Sequence, residues 1–130
     1  MSTNAYIGVQ CDDGIRAVYL HWDGNPESAG DTLTKHYADF MKVCELVNMG
    51  DISSLGNNIG EKHSFQWFID EKELYEKYGN EWCTFYKRDR DEKGCEYDLL
   101  DTETGFLNKA KHLGQYAYLF NNGAWTTYKL

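Results

Sequence analysis

The sequence predicts an α+β domain: an antiparallel sheet built from hairpins, with three to four helices on one face. Three observations carry that prediction. The turn-forming dipeptides Asp13-Gly14 and Asn122-Gly123 each separate two runs of alternating apolar residues. Segments with apolar residues three and four positions apart lie between those hairpins. The element order reads ββ-αα-(β)-α-ββ-α-ββ, hairpins rather than βαβ units, and so favours an antiparallel sheet. At 130 residues the chain fits one domain spanning 1–130, long enough to bury a core without metal or disulfide staples.

Ala5–Cys11 and Ile15–Trp22 form the first expected hairpin, across a type I′ turn at Asp13-Gly14. That register pairs Asp12 with Ile15, Val9 with Val18 and Ile7 with Leu20. One face then carries Ile7, Val9, Cys11, Val18, Leu20 and Trp22 as core. The other carries Tyr6, Gly8, Gln10, Ala17, Tyr19 and His21, half polar and aromatic. A helix is expected from Glu27 to Ala38, with Leu33 and Tyr37 on one side. Asp39 caps a second from Phe40 to Met49, which turns Val43, Leu46 and Val47 inward and ends at Gly50.

The stretch from Gly50 to Gly56 reads as a structured loop, and Asn57–Ser64 as polar and turn-rich. Phe65–Ile69 is expected as a short strand. Asp70 and Glu73 have capping-box spacing for a helix Glu71–Tyr78. Glu81–Arg88 and Cys95–Leu100 are expected to pair as a second hairpin. Thr104–Leu113 is a helix candidate ended by Gly114. The closing hairpin, Gln115–Asn121 with Ala124–Leu130, should set Phe120 opposite Trp125 and Tyr118 opposite Thr127.

Composition narrows the function classes. The formal charge of −8 disfavours direct binding to nucleic acid, which asks for a basic face. No apolar run approaches the ~20 residues of a membrane helix, and no basic-then-apolar leader is present, so the reducing cytosol is the expected compartment. Cys11, Cys44, Cys83 and Cys95, like the four histidines, lack the close spacing of zinc ligands. They read as small buried hydrophobes, and no metal or cofactor is expected. Dinucleotide, P-loop, nucleophile-elbow and H-E-x-x-H patterns are absent, so no catalytic residues are assigned and a non-enzymatic role is expected.

Two regions remain as candidate sites. His21 and Asp23, with Tyr6 and Tyr19 nearby, sit where a strand meets a turn and could contact a small ligand. Asx-turn chemistry at Asp23-Gly24 explains the same residues structurally. Acids recur at Glu71, Glu73 and Glu76, and again at Asp89, Asp91 and Glu92, close to Tyr75 and Tyr86. They read either as a solvated face or as an acidic surface with tyrosine anchors for a basic partner.

His21-Trp22-Asp23-Gly24 with Pro26, Gly30 and Leu33, then Gly50-Asp51-Ile52-Ser53-Ser54-Leu55-Gly56, resemble a family of small proteins encoded by bacteriophages and prophages. The closing Tyr116–Phe120 segment and Trp125 are similar as well, whereas the acidic middle departs from the pattern. The resemblance implies a phage accessory protein in the bacterial cytoplasm and carries no catalytic residues. The first functional expectation is an anti-CRISPR-like inhibitor of host defence, whose partner is a host effector such as a CRISPR-Cas nuclease or another nucleic-acid-binding complex. The alternative is a sponge for a nucleotide immune signal at Tyr6, Tyr19, His21 and Asp23.

Overall fold

The computed structural model describes residues 3–130. Its central pair is Ala5–Cys11 (β1) with Gly14–Leu20 (β2), in a register that sets Ile7 opposite Val18 and Val9 opposite Arg16. This pairing lies two residues from the expected one, because the turn is Asp12-Asp13. Neither aspartate takes a positive φ; Gly14 does, at 135°, and a Cβ there would lie 2.6 Å from the Leu100 carbonyl oxygen. A slip of two residues, unlike a slip of one, keeps every side chain on its own face. Ile7, Val9, Val18 and Leu20 therefore still point into one core.

Ile52–Ser54 (β3) runs parallel to the end of β2, and Thr84–Phe85 (β4) pairs antiparallel with β3. Asp98–Leu100 (β5) pairs with the start of β2. Tyr116–Asn121 (β6) lies parallel to β1, and Ala124–Lys129 (β7) closes the order β4-β3-β2-β1-β6-β7. The sheet is thus mixed rather than wholly antiparallel: β1–β6 and β2–β3 are parallel pairs joined through helices. The last hairpin has the expected register, Phe120 opposite Trp125 and Tyr118 opposite Thr127. Asn122 and Gly123 supply the two positive φ values, 54° and 79°, that its tight turn requires.

On one face, a π-helical turn at Pro26–Gly30 leads into Asp31–His36 (α1), followed by Phe40–Asn48 (α2). The expected single helix over Glu27–Ala38 is thus split. Asp39 caps α2 by accepting the Lys42 N–H at 3.3 Å, and Leu33, Tyr37, Val43, Leu46 and Val47 fill the core. Against the expectation of helices on one face only, Glu103–Leu113 (α6) covers the other. There Phe106 stacks on Tyr6 with ring centres 5.2 Å apart, beside Ile15, Ala17, Ala110 and Leu119. Those side chains make the second face apolar enough to need a cover; its polar members lie toward the strand ends. Gly8 lets the helix approach, since a Cβ there would sit 2.7 Å from the Phe106 ring.

The middle of the chain departs most from expectation. Trp67–Asp70 (α3), in place of a strand, precedes Lys72–Tyr78 (α4), and Tyr86–Arg90 (α5) replaces one arm of the expected second hairpin. The cause is Asp89. Its buried carboxylate accepts the N–H groups of Phe85 at 2.8 Å and His63 at 3.1 Å, and pairs with Arg88 Nε at 2.9 Å. Arg88 in turn donates to the carbonyls of Ile59, Gly60 and Cys83. This network curls the chain after β4 and frees β5 to pair with β2. The Asp70–Glu73 capping box does not form: Asp70 accepts the Ser64 hydroxyl and Glu71 the Ser64 N–H, tethering the preceding loop. Among the described residues, no helix is long and apolar enough to cross a membrane.

Candidate functional site

The Gly50–Gly56 motif has a structural role visible at Asp51. Between β5 and β3 the neighbour of β2 changes, and Asp51 Oδ1 accepts the Tyr19 N–H at 3.0 Å in that interval. Burial raises the Asp51 carboxyl above its ordinary range, partly offset by that backbone donor. Ser53 and Ser54 follow on β3, and the backbone N–H groups of His21 and Trp22 bond to Ile52 and Ser53 carbonyls. Regular alternation therefore stops at Leu20. Trp22, expected in the core, is 47% exposed, and its ring meets His21 edge-on at 4.6 Å although the two were expected on opposite faces. Asp23, at φ 56°, then turns the chain away.

Beyond β3 four rings pack into one cluster, in which His63 lies 6.0 Å from Trp82 as well. Tyr78 stacks on Trp82 (ring centres 4.6 Å, 6° between planes), Trp82 on Trp67 (5.7 Å, 7°) and Trp67 on His63 (3.9 Å, 25°). His63 Nδ1 donates to the Glu61 carbonyl at 2.8 Å, and its Nε2 shares a hydrogen bond with the Thr84 hydroxyl at 3.1 Å. Stacked pairs add about 0.5–1.5 kcal/mol each beyond their burial, so this cluster is a firm wall.

A cleft of about 440 Å³ opens on it, lined by Trp22, Asp23, Phe65, Trp67, Phe68, Tyr75 and Trp82 together with Ser53, Ser54 and Thr84. No lysine or arginine lines it. A second hollow, of about 840 Å³, shares Trp82 and is lined by Glu61, Asp70, Glu71 and Glu73 with Lys72 and Lys77. Phe68 (54%), Ile69 (64%) and Tyr75 (37%) stand exposed on α3 and α4.

The two acidic groups differ in their surroundings. In the later one, Asp91 pairs with Lys62 at 3.3 Å, Glu92 with Arg90 at 3.4 Å, Glu96 with Lys87 at 3.7 Å and Asp98 with Lys109 at 2.9 Å. In the earlier one, Glu71, Glu73 and Glu76 have no ion-pair partner among the described residues. Glu73 and Glu76 are exposed on α4 beside Tyr75.

Of the residues singled out from the sequence, Glu71, Glu73, Glu76 and Tyr75 come together on this surface, and Asp23 joins it from the turn after β2. Asp89 does not: it is buried and its oxygens are engaged by Phe85, His63 and Arg88. Tyr6 is buried under α6, its hydroxyl bonded to Asp98 Oδ2 at 2.6 Å, and so cannot line an open site. Tyr86 is half-buried against Phe65, and burial raises its hydroxyl pKa. Tyr19 bonds to His21 Nδ1 at 3.1 Å, apart from the cleft lining. Sequence reasoning missed Trp67, Phe68 and Trp82. Their signal was aromatic density in a charged segment, without any period to organise it. Another hollow, about 860 Å³, lies at the hairpin tips near Cys11, Cys44 and Arg16 and holds none of the singled-out site residues.

Fold and cleft together define an α+β domain with an aromatic-lined cleft and an acidic flank. Comparison with protein-family models, with curated proteins and with solved structures returns no match.

Proposed function

We propose that this chain is a non-enzymatic interaction protein that docks on a basic surface of a nucleic-acid-processing effector. The observation that carries the reading is the pairing pattern of the acids. Carboxylates at 91–98 are matched by the protein's own lysines and arginines, whereas Glu73 and Glu76 on α4 are unmatched and flank exposed Phe68 and Tyr75. An apolar centre with a charged rim is the anatomy of a specific interface. With Lys72 and Lys77 on the same helix, acids still outnumber lysines four to two over 70–77, and such a net negative charge speeds encounter with a basic partner and repels nucleic acid.

The resemblance to phage-encoded proteins makes an anti-CRISPR-like antagonist, acting in the bacterial cytoplasm during infection, the biological role that fits this chemistry. A sponge for a nucleotide signal fits less well, because phosphates in the 440 Å³ cleft would face Asp23 and no cation. Co-elution with purified CRISPR effector nucleases on a sizing column tests the proposal. A stable complex that excludes guide or target nucleic acid, and that is lost in the Glu73→Lys/Glu76→Lys variant, is expected. No complex with any basic effector, or nucleotide binding without protein binding, would overturn it.

A further inference from the structure

The cleft's chemistry specifies what a partner must insert. Its walls are aromatic: Trp67 is buried against His63, Trp82 stacks on Tyr78 and Arg90 covers Phe65, so the ring most open to a partner is Trp22, 47% exposed, and the one charged lining residue is Asp23. Ring faces carry negative potential and attract cations, most strongly for tryptophan. A lone carboxylate beside them adds a hydrogen-bonding counter-charge. The fold already uses this aromatic cluster for its own cations. Arg90 sits over Phe65 with its guanidinium carbon 5.1 Å from the ring centre, and Lys77 Nζ lies 5.2 Å from the centre of Tyr78.

Asp23 is placed there at some cost. It holds φ 56°, a region that non-glycine residues enter rarely, and its side chain has no ion-pair partner among the described residues. The turn is fixed from three sides: Gly24 N–H donates to Thr3 O at 2.8 Å, Tyr118 OH to Gly24 O at 2.6 Å, and Asn4 Nδ2 to His21 O at 2.7 Å. A carboxylate on a braced turn beside an aromatic wall is preorganised for a bound cation.

We infer that the cleft receives an arginine side chain of the partner, stacked on the exposed Trp22 ring with its guanidinium held by Asp23. Arginine fits better than lysine because its planar, weakly hydrated head can stack and bond a carboxylate in two places at once. This inference rests on the proposed docking to a basic protein and names the anchor that docking uses.

Titration with N-acetyl-arginine amide, followed by tryptophan fluorescence and by indole N–H resonances, tests it without the partner. The lysine, trimethyl-lysine and citrulline counterparts serve as competitors. Saturable binding of the arginine compound is expected, on the order of millimolar for one side chain. Citrulline and lysine should bind at least about fivefold more weakly. Asp23→Asn and Trp22→Ala should each abolish binding. Both sites are exposed, and asparagine tolerates the same left-handed backbone, so the variants fold. Preference for trimethyl-lysine, equal binding of citrulline, or no binding of the arginine compound would overturn the inference. An effector complex that survives Asp23→Asn but is lost in Glu73→Lys/Glu76→Lys would also overturn it while leaving the docking proposal standing.

Discussion

Trp67 and Trp82 lie parallel, ring centres 5.7 Å apart with 7° between their planes, although fifteen positions separate them in the chain. Trp67 is 4% exposed, while Phe68 beside it is 54% exposed. Adjacent aromatics thus divide the work: one builds the wall and the other faces solvent. Trp67→Ala should cost about 3–5 kcal/mol of stability, as for other large-to-small core changes. Phe68→Ala should stay within about 0.5 kcal/mol of wild type. Urea denaturation of the two variants checks the contrast.

Asp89 and Asp91 make a second contrast. Removing the Asp89 carboxylate strands Arg88 and two backbone N–H groups, so Asp89→Ala should cost about 3–5 kcal/mol. Asp91→Asn removes only an exposed pair with Lys62, keeps a side chain that tolerates the left-handed backbone at φ 56°, and should leave the denaturation midpoint where it is. Equal effects in urea melts would contradict the network described after β4.

The Asp51 carboxyl is raised by burial, with Asp98 adding to the effect. The folded state therefore binds that proton more tightly than the unfolded chain does. Its contribution favours folding most at acid pH and declines as pH rises through the folded-state value. Asp51→Asn keeps an oxygen for the Tyr19 N–H and removes the charge. The variant should be at least as stable as wild type at neutral pH and show a flatter stability profile above the ordinary carboxylate range. Denaturation midpoints across a pH series read this directly.

At Gly8 the absent Cβ is what seats α6, because Phe106 would lie 2.7 Å from it. Gly8→Ala should destabilise by about 1–3 kcal/mol, an overpacking effect. Phe106→Leu in the same background should recover part of the loss. Thermal melts of the single and double variants measure the coupling.

How much of this could be read in the sequence depended on how local the cause was. Asn122-Gly123 specifies its turn within two residues, and Asp39 caps α2 from three residues away, so both were legible. The two faces of β1 and β2 were legible even though their register was off by two. The cover over the second face was not, because Tyr6 pairs with Asp98 and Phe106 from distant parts of the chain. Glu81–Arg88 is rich in strand-favouring Trp82, Thr84, Phe85 and Tyr86, and only the buried Asp89–Arg88 network turns it into β4 and α5. Nothing near Asp89 in sequence distinguishes it from Asp91. The acidic half of the candidate site was visible as composition. Its aromatic half was assembled by folding.

The central claim is that the unmatched carboxylates of α4, not the acidity of the chain as a whole, bring the partner in. Association rates with the effector retained on the sizing column, measured against ionic strength, test it most directly. Glu73→Lys/Glu76→Lys is compared with Asp91→Lys/Glu92→Lys, two reversals of equal net charge. The account predicts that the α4 pair slows association about tenfold or more and flattens its salt dependence, while the 91/92 pair stays within about twofold of wild type. Equal slowing by both pairs would mean that net charge alone steers the protein, and would contradict the account.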